Sequence, residues 1–234
     1  MATASFRFHG ALSGFLKKEH RDKAFVHPCA RAANLKNAIE ALGVPHTEAG
    51  RITVNGVPAT LQRTVRDGDA IEIFPTTKEM ESDPIFLADA HLGGLARFLR
   101  MLGFDTLHDN SFADADIRRL AETERRIVLS RDRELLKCRE IARGCYVRAL
   151  KAEAQLREVA LRYDLAAHAR PFTLCLRCNL ALQPIDKASA AAIVPEQVLE
   201  IQERFTRCDG CGRVYWPGSH YARMRAALGE LIDG

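Results

Sequence analysis

The stretch that most constrains the fold runs from Ile85 to Asp132. It opens with the apolar run Ile85–Asp89 and closes with the apolar run Ile127–Asp132, and each run ends on a carboxylate. Short apolar runs bounded by polar residues are typical of buried strands. Two helical patterns, Leu92–Leu102 and Asp114–Glu124, lie between them, and two more, Glu134–Ala142 and Glu153–Tyr163, follow Asp132. The alternation of strands and helices predicts an α/β domain built on a parallel sheet.

The two carboxylates at the ends of these runs are the first candidate functional residues. Ligands of parallel α/β sheets bind beyond the carboxyl ends of the strands, where Asp89 and Asp132 are expected to lie. Two carboxylates that meet there repel each other unless a cation lies between them. The pattern therefore predicts a metal site at the sheet edge, although a lone Asp after a strand is more commonly a helix cap or turn residue.

The first part of the chain has a different pattern, of strands around one helix. Two strands, a helix and then more strands, separated by turns at Asn55-Gly56 and Asp67-Gly68, resemble the β-grasp fold of ubiquitin, and the end of the region is similar to the sulfur-carrier branch. The elements are predicted as strands at Phe6–His9, Lys23–Pro28, Arg51–Val54 and Ala70–Phe74, with a helix at Asn34–Leu42.

The sulfur-carrier resemblance does not extend to the chemistry of those proteins. Sulfur carriers act through a free C-terminal Gly-Gly, whereas this chain continues from Pro75 into the polar stretch Thr76–Pro84, which is predicted to be a linker. Gly93-Gly94 lies at a predicted helix start, where close packing explains it better. We interpret the β-grasp region as a binding module for a protein partner; detection of a thiocarboxylate would restore the sulfur-carrier hypothesis.

The end of the chain contains two Cys-x-x-Cys pairs. Cys175 with Cys178 and Cys208 with Cys211 provide four thiolates, which is the closed tetrahedral ligand set of structural zinc. A redox role is the rival interpretation, but it needs only one such pair. The intervening stretch Val194–Leu199 is predicted to form a small turn or helix.

Aromatic and basic residues follow the second cysteine pair. They are expected either to stack on unpaired bases or to form the core of the zinc lobe. They are Tyr215, Trp216, His220, Tyr221, Arg223 and Arg225. The other cysteines, Cys29, Cys138 and Cys145, are expected to be buried or idle thiols.

Composition narrows the class of protein. With 47% apolar and 27% charged residues the chain resembles an ordinary globular protein. Its apolar runs are shorter than the ~20 residues of a membrane span. Because the start lacks the layout of a signal peptide, a cytoplasmic location is predicted. The net charge of +4 permits a nucleic-acid partner without requiring one.

Two motifs together resemble one family. The segment from Phe86 to Asp105 resembles the opening of PIN-like ribonucleases of the Mut-seven C-terminal RNase type. The segment Arg126–Arg133 is similar to the second hallmark of that family, with Ser130 where threonine is usual. The resemblance implies three domains: a ubiquitin-like β-grasp domain at 1–79, a PIN-like nuclease domain at 84–170 and a zinc ribbon at 171–234.

The resemblance also implies a metal-dependent endoribonuclease with clustered acidic residues. Carried onto this chain, Asp89 and Asp132 match the family motif directly, and Asp116 is the third candidate, with a rival role as a helix cap. Glu134 or Asp114 would complete the set. Carboxylates that hold Mg²⁺ or Mn²⁺ activate water for phosphodiester hydrolysis and neutralise charge in the transition state.

Arginines near these motifs are candidates for RNA binding, because guanidinium groups bind phosphates through paired hydrogen bonds. They are Arg97, Arg100, Arg131 and Arg133. The rival interpretation is an ordinary solvated surface. The alternative function is a non-catalytic RNA- or ribosome-binding module with a vestigial acidic cluster. The sequence leaves open which RNA is cut and where, the number of catalytic metals, the role of the first domain and the oligomeric state.

Overall fold

The computed structural model describes residues 2–77 and 83–218. Its strands are β1 (Ala2–Phe8), β2 (Phe25–Cys29), β3 (Ala49–Val54), β4 (Val57–Ala59), β5 (Ala70–Pro75), β6 (Phe86–Ala88), β7 (Thr106–Leu107), β8 (Ile127–Ser130), β9 (Gly144–Tyr146), β10 (Leu182–Ile185), β11 (Phe205–Cys208) and β12 (Val214–Tyr215). Its helices are α1 (Leu35–Ala41), α2 (Gly93–Met101), α3 (Asp114–Glu124), α4 (Arg133–Leu136), α5 (Ala152–Tyr163), α6 (Lys187–Ala191) and α7 (Glu196–Ile201).

The chain divides into two compact units. The first unit contains Met1–Glu79 and Phe112–Val147, and the second contains Met80–Ser111 and Arg148–Gly234. These units follow spatial contacts, whereas the predicted domain limits 1–79, 84–170 and 171–234 follow the order of motifs along the chain. The domain limits therefore stay a prediction.

The first unit contains the predicted β-grasp sheet. Its five strands lie in the order β2-β1-β5-β3-β4. Strand β1 pairs parallel with β5 and antiparallel with β2, and β3 pairs antiparallel with β4 and β5. Alternation along β1 buries Ala4, Phe6 and Phe8, because successive side chains of a strand point to opposite faces. Helix α1 covers this face with Leu35 and Ile39.

Two parallel strands complete the first unit. Strand β8 pairs parallel with β9, and every residue of β8 is buried. Helix α4 is shorter than the predicted helical stretch Glu134–Ala142: it ends at Leu136. Tight turns replace the rest of it, since Cys138 N donates to Leu135 O at 3.1 Å and Ile141 N donates to Cys138 O at 3.1 Å.

Side chains of the β-grasp region bind the backbone around β9. The carboxylate of Glu48, which is 4% exposed, accepts a hydrogen bond from Tyr146 N at 2.9 Å. His46 Nε2 donates to Ile141 O at 3.0 Å. The ring of Tyr146 lies 5.1 Å from that of Phe15. The β-grasp region therefore supplies polar partners that this part of the parallel strands would otherwise lack.

The second unit begins with a strand, a helix and a strand. Strand β6 pairs parallel with β7, and α2 buries Leu95, Ala96 and Leu99 on one face. Helix α5 packs closely on α2 at Gly94, where an added Cβ would lie 2.9 Å from the Cβ of Ala152. The close-packing interpretation of this glycine therefore agrees with the structure.

The second unit ends in a small antiparallel sheet, with strands in the order β10-β11-β12. Helices α6 and α7 lie between β10 and β11, and α7 occupies most of the stretch predicted to form a turn or small helix. The core of this lobe is small, with Ala190, Val194 and Phe205 at its centre. A lobe with so little apolar core needs another source of stability.

The predicted fold class is confirmed: a β-grasp sheet, parallel α/β strands and a C-terminal lobe with a cysteine cluster. Among the helices in the described residues, none has both the length and the apolar character needed to cross a membrane.

Candidate metal centre, acidic residues and basic cleft

The four cysteines of the C-terminal lobe converge. Their sulfur atoms all lie within 4.8 Å of one another, and the Sγ atoms of Cys175 and Cys211 are 3.7 Å apart. Tetrahedral zinc with Zn–S bonds of about 2.3 Å places its sulfur ligands about 3.8 Å apart. The donor set and its spacing therefore fit a zinc ion.

Ionisation of the cysteines is strongly uneven. Burial opposes the Cys175 thiolate, but hydrogen bonds from the Tyr215 hydroxyl and from nearby backbone N–H groups lower the pKa of Cys175 to about 6. The hydrogen bond with Cys211, burial and the charge of Cys175 raise the pKa of Cys178 to about 12. The thiols cannot all ionise side by side, so a divalent cation is what would allow four thiolates at this spacing.

A buried arginine attaches the first cysteine pair to α2. Arg100, which is 5% exposed, donates through Nε to Thr106 O at 2.9 Å. Through Nη1 it donates to Leu176 O at 3.1 Å and to Arg177 O at 2.9 Å. Burial lowers the pKa of Arg100, and the negative charges of the nearby cysteines and Asp105 oppose that effect. Three backbone carbonyls therefore engage the guanidinium group that the sequence assigned to RNA.

Asn179 makes a second attachment. Its Oδ1 accepts a hydrogen bond from Thr106 N at 3.0 Å, and its Nδ2 donates to the carboxylate of Asp105. Asn179 directly follows the first cysteine pair, but its partners are more than seventy residues away along the chain. Sequence reasoning missed this residue because an asparagine after Cys-x-x-Cys carries no signal of so distant a partner.

Asp89 lies at the carboxyl end of β6. It is 7% exposed, and its Oδ1 accepts a hydrogen bond from His91 N at 2.9 Å. This bond caps the 3₁₀ turn Ala90–Leu92, which leads directly into α2. The side chain is therefore held in a fixed position after a buried strand.

Asp132 and Asp116 lie at the starts of helices of the first unit. Asp132 Oδ1 accepts hydrogen bonds from Glu134 N at 2.7 Å and Leu135 N at 3.3 Å. The Asp132 N–H donates to the Oγ of the buried Ser130 at 2.9 Å. Asp116 Oδ2 accepts from Ala113 N at 3.2 Å. Asp132 is the N-cap of α4, but the N-cap role predicted as the alternative for Asp116 is wrong. Ala113 holds the N-cap position of α3, and Asp116 accepts from its backbone N–H out of the first turn.

The remaining acidic candidates are exposed. Glu134 lies 2.7 Å from the ammonium group of Lys137, and Asp114 occupies the first turn of α3. Over residues 2–77 and 83–218, the four cysteines are the only group of three or more potential ligands whose ligand atoms lie within 4.8 Å of one another. Magnesium retains several waters, so its carboxylates need not meet directly, and the acidic site stays a prediction.

The other arginines predicted to bind RNA have different surroundings. Arg133 stacks over the ring of Phe15 at 4.9 Å and donates to its carbonyl at 3.3 Å. Arg131 and Arg97 are exposed. In the predicted basic-aromatic tail, Trp216 packs against the small core of the lobe. His220, Tyr221, Arg223 and Arg225 lie outside the described residues.

The second unit also contains a cleft of about 610 Å³. It is lined by Gly93, Gly94, Arg97, Arg100, His108, Asn110, Leu176, Arg177, Arg213 and Tyr215. The sequence analysis identified Arg97 and Arg100 but missed Arg177 and Arg213. Both stand beside the cysteine pairs, one between the cysteines of the first pair and one just after the second, and a basic residue there was the available signal.

The fold and these residues define an α/β protein with a β-grasp region and a four-cysteine lobe. Residues 84–228 match the family model described as the Mut7-C RNAse domain, and residues 1–81 match that of the Mut7-C ubiquitin. The first match covers more than half of the chain, and the chain belongs to the Mut7-C RNase family. The predicted family resemblance is confirmed.

Comparison with solved structures gave one further likeness. The chain is similar to the small archaeal modifier protein 1 of H. volcanii, with 18% identity and a TM-score of 0.27. The match covers 32% of this chain and 98% of the modifier. Comparison with curated proteins gave no match.

Proposed function

We propose that the protein is a metal-dependent endoribonuclease of PIN type. The match of residues 84–228 to the Mut7-C RNase family carries this proposal, because it gives a ribonuclease-type function to the region that contains the acidic candidates. RNA is the proposed substrate. The ubiquitin-like region is the proposed binding surface for a protein partner.

The proposed catalytic residues are Asp89, Asp116 and Asp132, with Glu134 or Asp114 as a further ligand. Carboxylate oxygens are the donors that Mg²⁺ and Mn²⁺ prefer. An ion held by these carboxylates would lower the pKa of a water molecule and neutralise charge that develops on the phosphate. The caps at Asp89 and Asp132 support the proposal, because a ligand acts best when its position is already fixed.

The proposed role of zinc is structural. Its four cysteine ligands leave no open coordination position for a substrate, and the lobe around them has a small core. Arg97 and Arg131 are the exposed arginines proposed to contact RNA phosphates. The contributions of Arg100 and Arg133 are proposed to be mainly indirect, because backbone carbonyls and aromatic rings already engage their guanidinium groups.

One experiment tests the catalytic proposal. Purified protein is incubated with labelled single-stranded RNA with and without added Mg²⁺ or Mn²⁺, and the products are separated by size. Divalent ions are omitted rather than chelated, since a chelator would also remove zinc. We expect cleavage only with the added ion, and a loss of at least about 100-fold in Asp89→Asn, as expected when a metal ligand is changed.

The matched control is Glu122→Gln, which removes an exposed carboxylate from the same helix as Asp116. It should cleave RNA at the wild-type rate. If folded Asp89→Asn retains the wild-type rate, the assignment of the catalytic site is wrong.

The second candidate function is RNA binding without catalysis. One observation favours it: over residues 2–77 and 83–218 the acidic candidates form no group of three whose ligand atoms lie within 4.8 Å of one another. It predicts that RNA binds equally well with and without Mg²⁺ or Mn²⁺ and is never cleaved.

A further inference from the structure

The basic cleft of the second unit has the size and concave form of a ligand site. Its volume of about 610 Å³ lies within the range of roughly 300–1,000 Å³ that is typical of clefts for small molecules. Its walls come from the start of α2, from residues after β7 and from both halves of the cysteine lobe. The attachment of Arg100 to the first cysteine pair fixes two of these walls relative to each other.

The charge of the cleft selects an anion. Four of its ten lining residues are arginines, and none of the ten is an aspartate or glutamate. Arg97, Arg177 and Arg213 are exposed, and none of these three has an ion-pair partner within the described part of the chain. Guanidinium groups bind phosphate oxygens through paired hydrogen bonds, so three of them around one cleft favour a multiply charged phosphate.

The start of α2 adds the positive end of a helix dipole to the same cleft. Gly93 and Gly94 line the cleft. The dipole at a helix N-terminus favours negative charge. At the cleft wall, His108 Nε2 donates to the carbonyl oxygen of Ala90 at 3.3 Å. Tyr215 supplies an aromatic ring on which a base can stack.

We propose that this cleft binds the terminal phosphate of an RNA strand, as a phosphomonoester. This proposal rests on the ribonuclease function above and specifies its substrate: an RNA whose end carries a phosphate. A terminal phosphate carries up to two negative charges, whereas an internal phosphodiester carries one. The cluster of arginines around the cleft should therefore bind the phosphorylated end of an RNA strand more tightly than its interior. Asp89 precedes the start of α2 by only four residues, so the cleft adjoins the chain segment that bears the proposed metal ligand.

The test compares ends of the same short oligoribonucleotide. Binding is measured by fluorescence anisotropy without Mg²⁺ or Mn²⁺, with 5′-phosphate, 3′-phosphate and hydroxyl ends, in the zinc-loaded full chain. Inorganic phosphate and adenosine monophosphate are used as competitors, to separate recognition of phosphate alone from recognition of a nucleotide. We expect one phosphorylated end to bind at least about tenfold more tightly than the hydroxyl end.

Variants connect this preference to the cleft. Arg97→Gln with Arg213→Gln should remove the preference for the phosphorylated end, while thermal stability and zinc content stay unchanged because both side chains are exposed. Arg204→Gln removes an exposed arginine of the same lobe that does not line the cleft, and it should retain the preference.

Equal binding of phosphorylated and hydroxyl ends would overturn the proposal, as would a preference that survives the double variant. Failure of the proposed function is distinguishable from this, because the binding assay contains no divalent ion that supports cleavage. A protein that prefers phosphorylated ends but never cleaves RNA would support the proposed role of the cleft and contradict the proposed nuclease function. A protein that cleaves RNA regardless of its ends would support the proposed nuclease function and contradict the proposed role of the cleft.

Discussion

The four cysteines and the three acidic residues are both candidate metal ligands, but they are held in opposite ways. The cysteine sulfur atoms lie within 4.8 Å of one another, and hydrogen bonds from Tyr215 and the backbone lower the pKa of Cys175. Each of Asp89, Asp116 and Asp132 instead accepts hydrogen bonds from backbone N–H groups of its own turn or helix. The cysteine side chains therefore converge on one another, whereas each acidic side chain is hydrogen-bonded to the backbone of its own turn or helix.

This difference shows that close spacing of ligands along the chain can form a cysteine site but not an acidic site. A Cys-x-x-Cys pair places two ligands on one turn, so two pairs need only one tertiary contact to form a complete site. Three carboxylates from three separate segments repel one another, and a cation is needed to hold them together.

The largest effect is expected from the cysteine site. Cys208→Ser should reduce bound zinc from one ion per chain to less than about a tenth of that, because zinc binding and folding are coupled in small lobes. The lobe core around Phe205 should then become sensitive to protease. Elemental analysis and limited proteolysis measure both. Cys138→Ser, at a cysteine outside the cluster, should keep its zinc; full zinc content in Cys208→Ser would contradict the assignment.

The second-largest effect is expected from the attachment of the cysteine lobe to α2. Arg100→Lys should lower the free energy of unfolding of the second unit by about 2–4 kcal/mol, because one ammonium group cannot replace a guanidinium that donates to three carbonyls. Chemical denaturation followed by the fluorescence of Trp216 measures it. Arg204→Lys is the control at an exposed site. An unchanged midpoint would mean that these hydrogen bonds contribute no net stability.

Asp69 provides a comparison for the three acidic candidates, because protein groups donate the hydrogen bonds to its carboxylate. Asp69, in the β-grasp region, accepts from both terminal nitrogens of Arg63, from Arg66 N and from Asn55. Asp69→Asn should lower the free energy of unfolding by about 1–3 kcal/mol at neutral pH. Added Mg²⁺ should not stabilise this region, since protein donors already surround the carboxylate.

The effect of Asp69→Asn should also depend on pH. The hydrogen bond from Arg63 lowers the pKa of Asp69 in the folded state. The stability that this provides is present above the unfolded value of about 3.9 and is lost as the pH falls through the lower folded value. Denaturation across the acid range should therefore show the gap between wild type and Asp69→Asn narrowing below about pH 4. A gap that stays constant across the acid range would contradict the pairing of Asp69 with Arg63.

The smallest effect separates capping from metal binding at Asp132. Asp132→Ala should lose about 0.5–2 kcal/mol of stability because it removes the cap of α4, whereas Asp132→Asn retains an acceptor and should lose only a few tenths. If Asp132 is also a ligand, added Mg²⁺ should raise the melting temperature of the wild type but not of Asp132→Asn. An equal rise in both would leave Asp132 as a cap alone.

Much of the fold could be predicted from local sequence. The apolar spacing of α2 and α5, the turn glycines of the β-grasp region and the full burial of β8 all follow from patterns within a few residues. Helix α4 is the exception, because its predicted extension to Ala142 depended on apolar spacing that the tight turns at Cys138 and Ile141 interrupt.

Less of the candidate site could be predicted. The sequence analysis treated Arg100 and Arg133 as exposed phosphate ligands, because an arginine on a helical pattern carries no sign of a distant partner. Two of the three carbonyls that accept from Arg100 lie 76 and 77 residues further along the chain. The role of Glu48, whose partner Tyr146 is 98 residues away, was missed for the same reason.

Local sequence predicted much of the order of strands and helices, the group of four cysteines and the family, since each depends on residues close together in the chain. Only the tertiary structure decided that Arg100 and Asn179 attach the cysteine lobe to α2 and that Arg177 and Arg213 join Arg97 around one cleft. The physical reason is distance along the chain: hydrogen bonds and charge clusters between remote segments exist only after the apolar cores have brought those segments together.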